Sequence, residues 1–187
     1  MKNLVVISAA LAFMLSSAQA ADLDLAASKI TIHVEKSGIF AAFAHNHIVS
    51  APLASGSLDA AQRTVELAFH AADLKVLDPG ASASERQKIQ STMQSPEVLD
   101  PAKFPDISFA STSVESPAPN RYLVHGNLTL HGVTKQIDLP VSFANGHYTG
   151  KVSIKQTDFG ITPVKIAGGA VRVKDPVSIE FDIVSTP

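Results

Sequence analysis

Residues 40 to 48 read FAAFAHNHI, with His45 and His47 one residue apart in an apolar run that includes Phe40, Phe43 and Ile48. In a strand, this spacing puts both imidazoles on one face and Ala44, Asn46 and Ile48 on the other. Imidazole can ligate a metal, move a proton or hydrogen-bond the polar end of a ligand near neutral pH. A metal ordinarily takes three or four protein ligands. His45 and His47 supply two, and His33, His70, His125, His131 and His147 are scattered without a spacing that completes a set. The sequence has no cysteine and no His-Glu-x-x-His pattern. Three readings of the pair stay open: ligands in a metal- or haem-associated accessory protein, hydrogen-bonding groups at a cavity mouth, or solvated surface histidines.

Other chemistry finds little footing. There is no Gly-x-Ser-x-Gly elbow for a nucleophile, and Gly168-Gly169 reads as a turn, not as a phosphate loop. Asp22 and Asp24 stand near the expected mature terminus as solvated charges. The expectation is therefore a protein that is not an enzyme and has no cofactor. Lys36, Lys165 and Arg172 could pair with a phosphate or carboxylate head, although each by itself reads as a surface charge. Phe40, Phe43, Phe69, Phe104, Phe109, Phe143, Phe159 and Phe181 are large groups without a polar tip, and Trp is absent. Most would fill a core. Some could line a tunnel, where each buried methylene of an apolar chain gains about 0.8 kcal/mol.

The 187-residue chain opens with Lys2, then an apolar run from Leu4 to Leu15 that is too short to span a bilayer, then Ala18-Gln19-Ala20. This pattern predicts a secretory signal peptide over residues 1–20, removed before Ala21, and hence a periplasmic protein. The mature part, residues 21–187, has the length of one domain with a sizeable core. Across the whole chain, 15 basic residues face 17 acidic ones, a net charge of −2. No basic block offers a footprint for nucleic acid, and no later stretch suits stable membrane insertion. Without cysteines, the exported domain is held by its core alone.

Most of the mature chain alternates with period two. Ile30, Ile32 and Val34 share a face; so do Val65, Leu67 and Phe69; Ile107 and Phe109; Tyr122, Val124, Leu128 and Leu130; Ile137, Leu139, Val141 and Phe143; and Val177, Ile179, Phe181 and Ile183. These are half-buried antiparallel strands, punctuated by turns at His131-Gly132, Ala144-Asn145-Gly146 and Pro117-Ala118-Pro119-Asn120. One segment breaks the pattern. SERQKIQSTMQS, from Ser84 to Ser95, predicts a helix with Ser84 and Gln87 as capping box, followed by a short second helix starting at Ser95-Pro96 and ending by Pro101. About eight antiparallel strands must close or stack to hide their edges, as a barrel or a sandwich. A closed barrel of eight is either filled by side chains, as a packed interaction module would be, or holds one small ligand.

Three motifs in order carry a family resemblance. They are PEVLDPAKFPDISFAST (Pro96 to Thr112), LTLHGVTKQIDLPV (Leu128 to Val141) and the tail from Thr157 through Val184 with its Asp158-Phe159-Gly160 element. In these, the sequence resembles the YceI family of exported, lipocalin-like, polyisoprenoid-binding proteins. One departure is local: many members carry His-x-Gly on the second strand, where this chain reads Lys36-Ser37-Gly38. The resemblance implies an all-β fold, an antiparallel barrel of about eight strands, here with one inserted helical segment. It also implies a tunnel for a long apolar ligand such as a polyisoprenoid, quinone or fatty-acid derivative. The residues expected to contact that lipid-like molecule are Phe40, Phe43, His45, His47, Phe104, Ile107, Phe109 and Phe159, with the helix as lid or side wall. A homodimer is compatible with this reading.

Overall fold

The computed structural model describes residues 21–37, 46–166, 168 and 170–186. Phe40, Phe43 and His45 lie outside them, as do residues 1–20. The alternating segments form strands β1 (Ala21–Ser37), β2 (His47–Ser50), β3 (Ser55–Asp59), β4 (Thr64–His70), β5 (Lys75–Val76), β6 (Asp106–Ala118), β7 (Arg121–Leu130), β8 (Val133–Ala144), β9 (His147–Lys155), β10 (Lys165–Ile166) and β11 (Val171–Ser185). Hydrogen bonding runs β11-β9-β8-β7-β6-β4-β3-β1, and β1 pairs back to β11. Eight antiparallel strands thus close into a ring, which decides for the barrel that the resemblance implies and against the sandwich that the alternation left open. The short strands are additions: β2 pairs with β1 beyond β3, β5 with β2, and β10 with β11.

Closure requires local bends, and the sequence supplies polar groups at each. In β1 the register shifts between Asp24 and Lys29. There Asp24 Oδ1 accepts from the Ala26 and Ala27 amides, while Ser28 donates to the Asp24 carbonyl at 2.7 Å and accepts from Val184 N–H at 3.0 Å. The bulge thus replaces the lost ladder bonds with side-chain ones, at the exposed Ala26 and Ala27 amides and at the part-buried Val184 amide. A second shift in β6, between Ser111 and Ser113, lies beside the bond from Val65 N–H to Ser111 Oγ.

Two inward-facing glycines shape the wall. A Cβ at Gly126 would lie 2.3 Å from Phe109 Cζ, and one at Gly150 would lie 2.3 Å from both Phe181 Cζ and the Pro140 carbonyl oxygen. The two phenyl rings therefore lie against backbone, in space that any other residue would fill.

The excursion between β4 and β6 corrects the expected helices. Helix α1 spans Ala83–Met93, and its cap is Ser82, two residues before the expected Ser84. Glu85, not Gln87, closes the capping box, accepting from Ser82 N–H at 2.8 Å. A carboxylate accepts more strongly than an amide and suits the positive end of the helix, which favours the Ser82 register. The expected second helix is absent. Ser95 to Leu99 forms consecutive turns, closed by Val98 N–H and Asp100 N–H on the Ser95 carbonyl. Asp100, at φ 44, leaves the right-handed helical region just before Pro101. α1 buries no residue. It is docked by amides: Gln90 accepts from Val76 N–H and donates to the Leu74 carbonyl, both at 2.8 Å, and Gln94 donates to the Ala72 carbonyl.

The outer wall is polar. Lys151 meets Glu180, and Lys174 meets Glu35, each at 2.7 Å between adjacent strands. His125 donates to Asp138 at 2.6 Å and lies 3.4 Å from Glu115. The hydrogen bond to Asp138 raises the His125 pKa above the ordinary 6.5, against opposing desolvation and with further help from both acidic charges. A histidine whose pKa rises on folding stabilises fully below its unfolded value, and the contribution fades as pH rises through the folded one. An NMR titration should accordingly place the His125 ring midpoint above 6.5. A midpoint at or below that value would contradict the pairing.

Candidate ligand-binding cavity

Alternation aims one side chain in two from each ring strand at the barrel axis, and these enclose a cavity of about 510 Å³. All eight ring strands contribute, for example Ile32, Leu58, Leu67, Phe109, Val124, Leu139, Val152 and Ile179. The lining is aliphatic and aromatic apart from Asp59, Arg63, Thr64, Ser116, Tyr122, Tyr148 and Gln156. Gln156 is occupied, donating to the Lys174 and Asp175 carbonyls. A cavity of this size with few polar groups has the character of a small-molecule site.

The sequence-predicted residues separate into three groups. Ile107 and Phe109 are 9% and 4% exposed and line the cavity, as their alternation requires. Phe104 and Phe159 do not line it, which corrects their assignment to the lumen. Phe104 precedes β6, so the inward alternation has not begun. Its ring packs on His131 with centroids 4.2 Å apart, and a Cβ at Gly132 would lie 2.7 Å from it. Phe159 is 1% exposed but sits in the 3₁₀ turn Gln156–Phe159 that follows β9. Its carbonyl accepts from His131 Nδ1 at 3.3 Å. These residues pack a corner of the fold. His131 has the turn role, with φ 52.

His47 forms the third case. It opens β2 opposite Val34, a lining residue, yet its ring does not line the cavity. Nδ1 donates to Asp78 Oδ2 at 2.6 Å, and Ile48 N–H donates to Asp78 Oδ1 at 2.7 Å. Asp78 is 4% exposed, so this carboxylate is a buried pin between β2 and the loop leading into α1. The aspartate stands in LDPG, which reads only as a turn, and no spacing in the sequence connects it to His47. His45 lies outside the described residues, which contain no cluster of three or more His, Cys, Asp or Glu able to hold a metal. Lys36, Lys165 and Arg172 do not line the cavity either; Lys165 and Arg172 face each other across β10 and β11.

The helical excursion closes one end of the lumen with Leu74, Met93, Val98 and Leu99. The closure comes from the end of α1 and the turns after it, not from a helix face. No helix among the described residues is long and apolar enough to cross a membrane.

A closed eight-stranded antiparallel barrel around an apolar cavity, with one helical excursion over an end, is a lipocalin-like architecture. The chain belongs to the YceI-like family, whose domain it matches over residues 22–185. The fold resembles that of BcnA from Burkholderia cenocepacia, with TM-score 0.64 and 22% identity over 88% of this chain and all of that one. It also resembles the Campylobacter jejuni YCEI protein, with TM-score 0.55 and 16% identity over 100% of this chain and 99% of that one. Among curated relatives, a UPF0312 protein of Pseudomonas fluorescens is 34% identical over 102 residues, 49% of this chain and 51% of that protein. One from Shewanella oneidensis is 37% identical over 73 residues, 34% of this chain and 38% of that protein. The chain spans about half the length of the first of these relatives.

Proposed function

We propose that this chain is an exported, periplasmic binding protein that holds a long apolar molecule in its barrel, with no catalysis of its own. The observation that carries the reading is the lining of the lumen: aliphatic and aromatic groups from every ring strand around about 510 Å³ of space. A chain-like molecule entering that space gains roughly 0.8 kcal/mol for each methylene taken from water. A polyisoprenoid, a quinone or a fatty-acid derivative has the required shape. The polar outer wall supports a ligand carrier, since a membrane barrel carries its apolar band outside and its polar groups inside. Membership of the YceI-like family supports the same reading.

Protein recovered from the periplasm, without an affinity tag, tests both parts. Its intact mass should correspond to a start at Ala21, and mass spectrometry of an organic extract should find a stoichiometric lipid-like molecule. A mass that retains residues 1–20 would end the export reading. An extract with no lipid, together with no uptake of added farnesol, would end the binding reading.

A further inference from the structure

The cavity differs at its two ends. The exposed residues among its lining are Ala60, Arg63, Thr64 and Ser116. Three belong to the β3–β4 turn or its edge, and the fourth lies near the end of β6, at the same end of the barrel. At the opposite end the lining includes Leu74, Val98, Leu99 and Ile161, all buried, with Met93 and Gln156 half-buried beside them. The described lumen is thus closed by apolar side chains beneath the helical excursion and reaches solvent at the turn end.

Arg63 is the one cation lining the lumen among the described residues. It is exposed, at φ 55 in the turn, and no hydrogen bond or ion pair engages its guanidinium among those residues. Asp59, the other charged lining group, is committed to the turn. Its Oδ1 accepts from Ala61 N–H at 2.9 Å and from Gln62 N–H at 2.8 Å. Just inside stand Tyr122 and Tyr148, half-buried, and no hydrogen bond joins either hydroxyl to the described residues. Burial, and then the neighbouring Tyr122, push the Tyr148 pKa up, so its phenol stays protonated and able to donate.

We infer that Arg63 receives an anionic end group, a phosphate or carboxylate, on a single-chain amphiphile that enters the barrel tail-first through the turn end. The inference rests on the reading that the lumen holds an apolar chain, and adds which way the chain points and what its end carries. A guanidinium presents several donors to such oxygens in a fork that matches them. The charge of Asp59 on the same rim works against the anion, so the expected preference is several-fold and not many thousand-fold.

Farnesyl phosphate and farnesol share one tail and separate the two claims. Lipid-stripped protein should bind the phosphate more tightly than the alcohol. Arg63→Asn should bring that ratio close to one, a several-fold loss on the scale of one ordinary hydrogen bond. Asn accepts positive φ, so the turn is kept. Arg63→Lys should retain most of the ratio. A wild-type protein with no preference, or an Arg63→Asn variant that keeps the full preference, overturns the assignment and leaves the apolar-chain reading standing. Failure of wild-type protein to bind either molecule overturns both.

Discussion

Phe109→Asp should empty the barrel of lipid and destabilise it by about 3–5 kcal/mol. Phe109 is 4% exposed, lines the cavity and rests its ring on the bare backbone at Gly126. Removing the ring leaves a void against that wall. The new carboxylate would stand in aliphatic surroundings, since the charged lining groups Asp59 and Arg63 belong to the rim. An apolar chain would then have to bury a charge along its length. Phe109→Leu separates the two losses. It keeps the lumen apolar and should retain lipid at a cost of about 1–1.5 kcal/mol. Urea denaturation and lipid extraction of the two variants provide the check. An aspartate variant with wild-type stability and a full complement of lipid would show that this side chain does not face the ligand.

The second large effect is expected away from the lumen. Asp78→Ala should cost about 3 kcal/mol. The carboxylate takes the Ile48 amide at 2.7 Å and His47 Nδ1 at 2.6 Å, with its side chain 3% exposed. Alanine leaves the Ile48 donor without its partner in a part-buried place. The His47 ring, with 27% of its side chain exposed, can turn partly to water, so its share is the smaller one. Asp78→Asn retains an acceptor for Ile48 and should recover more than half of the loss. Chemical denaturation with an unaltered m-value would report this directly. A loss below about 1 kcal/mol for alanine would mean that the pin is dispensable.

The strands were legible because burial on one face forces period two on each of them, whereas their closure into a barrel was legible only through the family motifs. A run such as Ile107-x-Phe109 or Val177-x-Ile179-x-Phe181 fits a strand with one buried face and little else. The helix was legible in kind but not in register. Ser82 and Ser84 are both serines, and the choice between them turned on Glu85 against Gln87, a preference too small to read with certainty from spacing. The site was read only in part. Ile107 and Phe109 share the strand period that builds the lumen. Phe104 and Phe159 have the same side chain but fall outside the strands, where period two carries no information about direction. The His45-Asn46-His47 spacing suggested a shared task, but the partner of His47 is Asp78, which is 31 residues away in sequence. Arg63 gave no signal, because a lone arginine in a turn acquires meaning only once closure of the sheet places that turn over an opening.

The glycine niches give the lumen an uneven response to change. Gly126 and Gly150 leave the Phe109 and Phe181 rings room against the wall, so the bore is set by two side chains that are missing. One added methyl at either position does not merely subtract its own volume. It must evict a whole ring across the lumen, or, where a carbonyl such as that of Pro140 also blocks it, part the strands. Elsewhere along the wall, Val152 or Ile179 can gain or lose a carbon and change the bore by about that much. The accessible widths therefore fall into separate ranges, with no path of small substitutions leading through the glycine positions from one to the next. A barrel of this construction drifts in capacity at its aliphatic positions and jumps at its glycines.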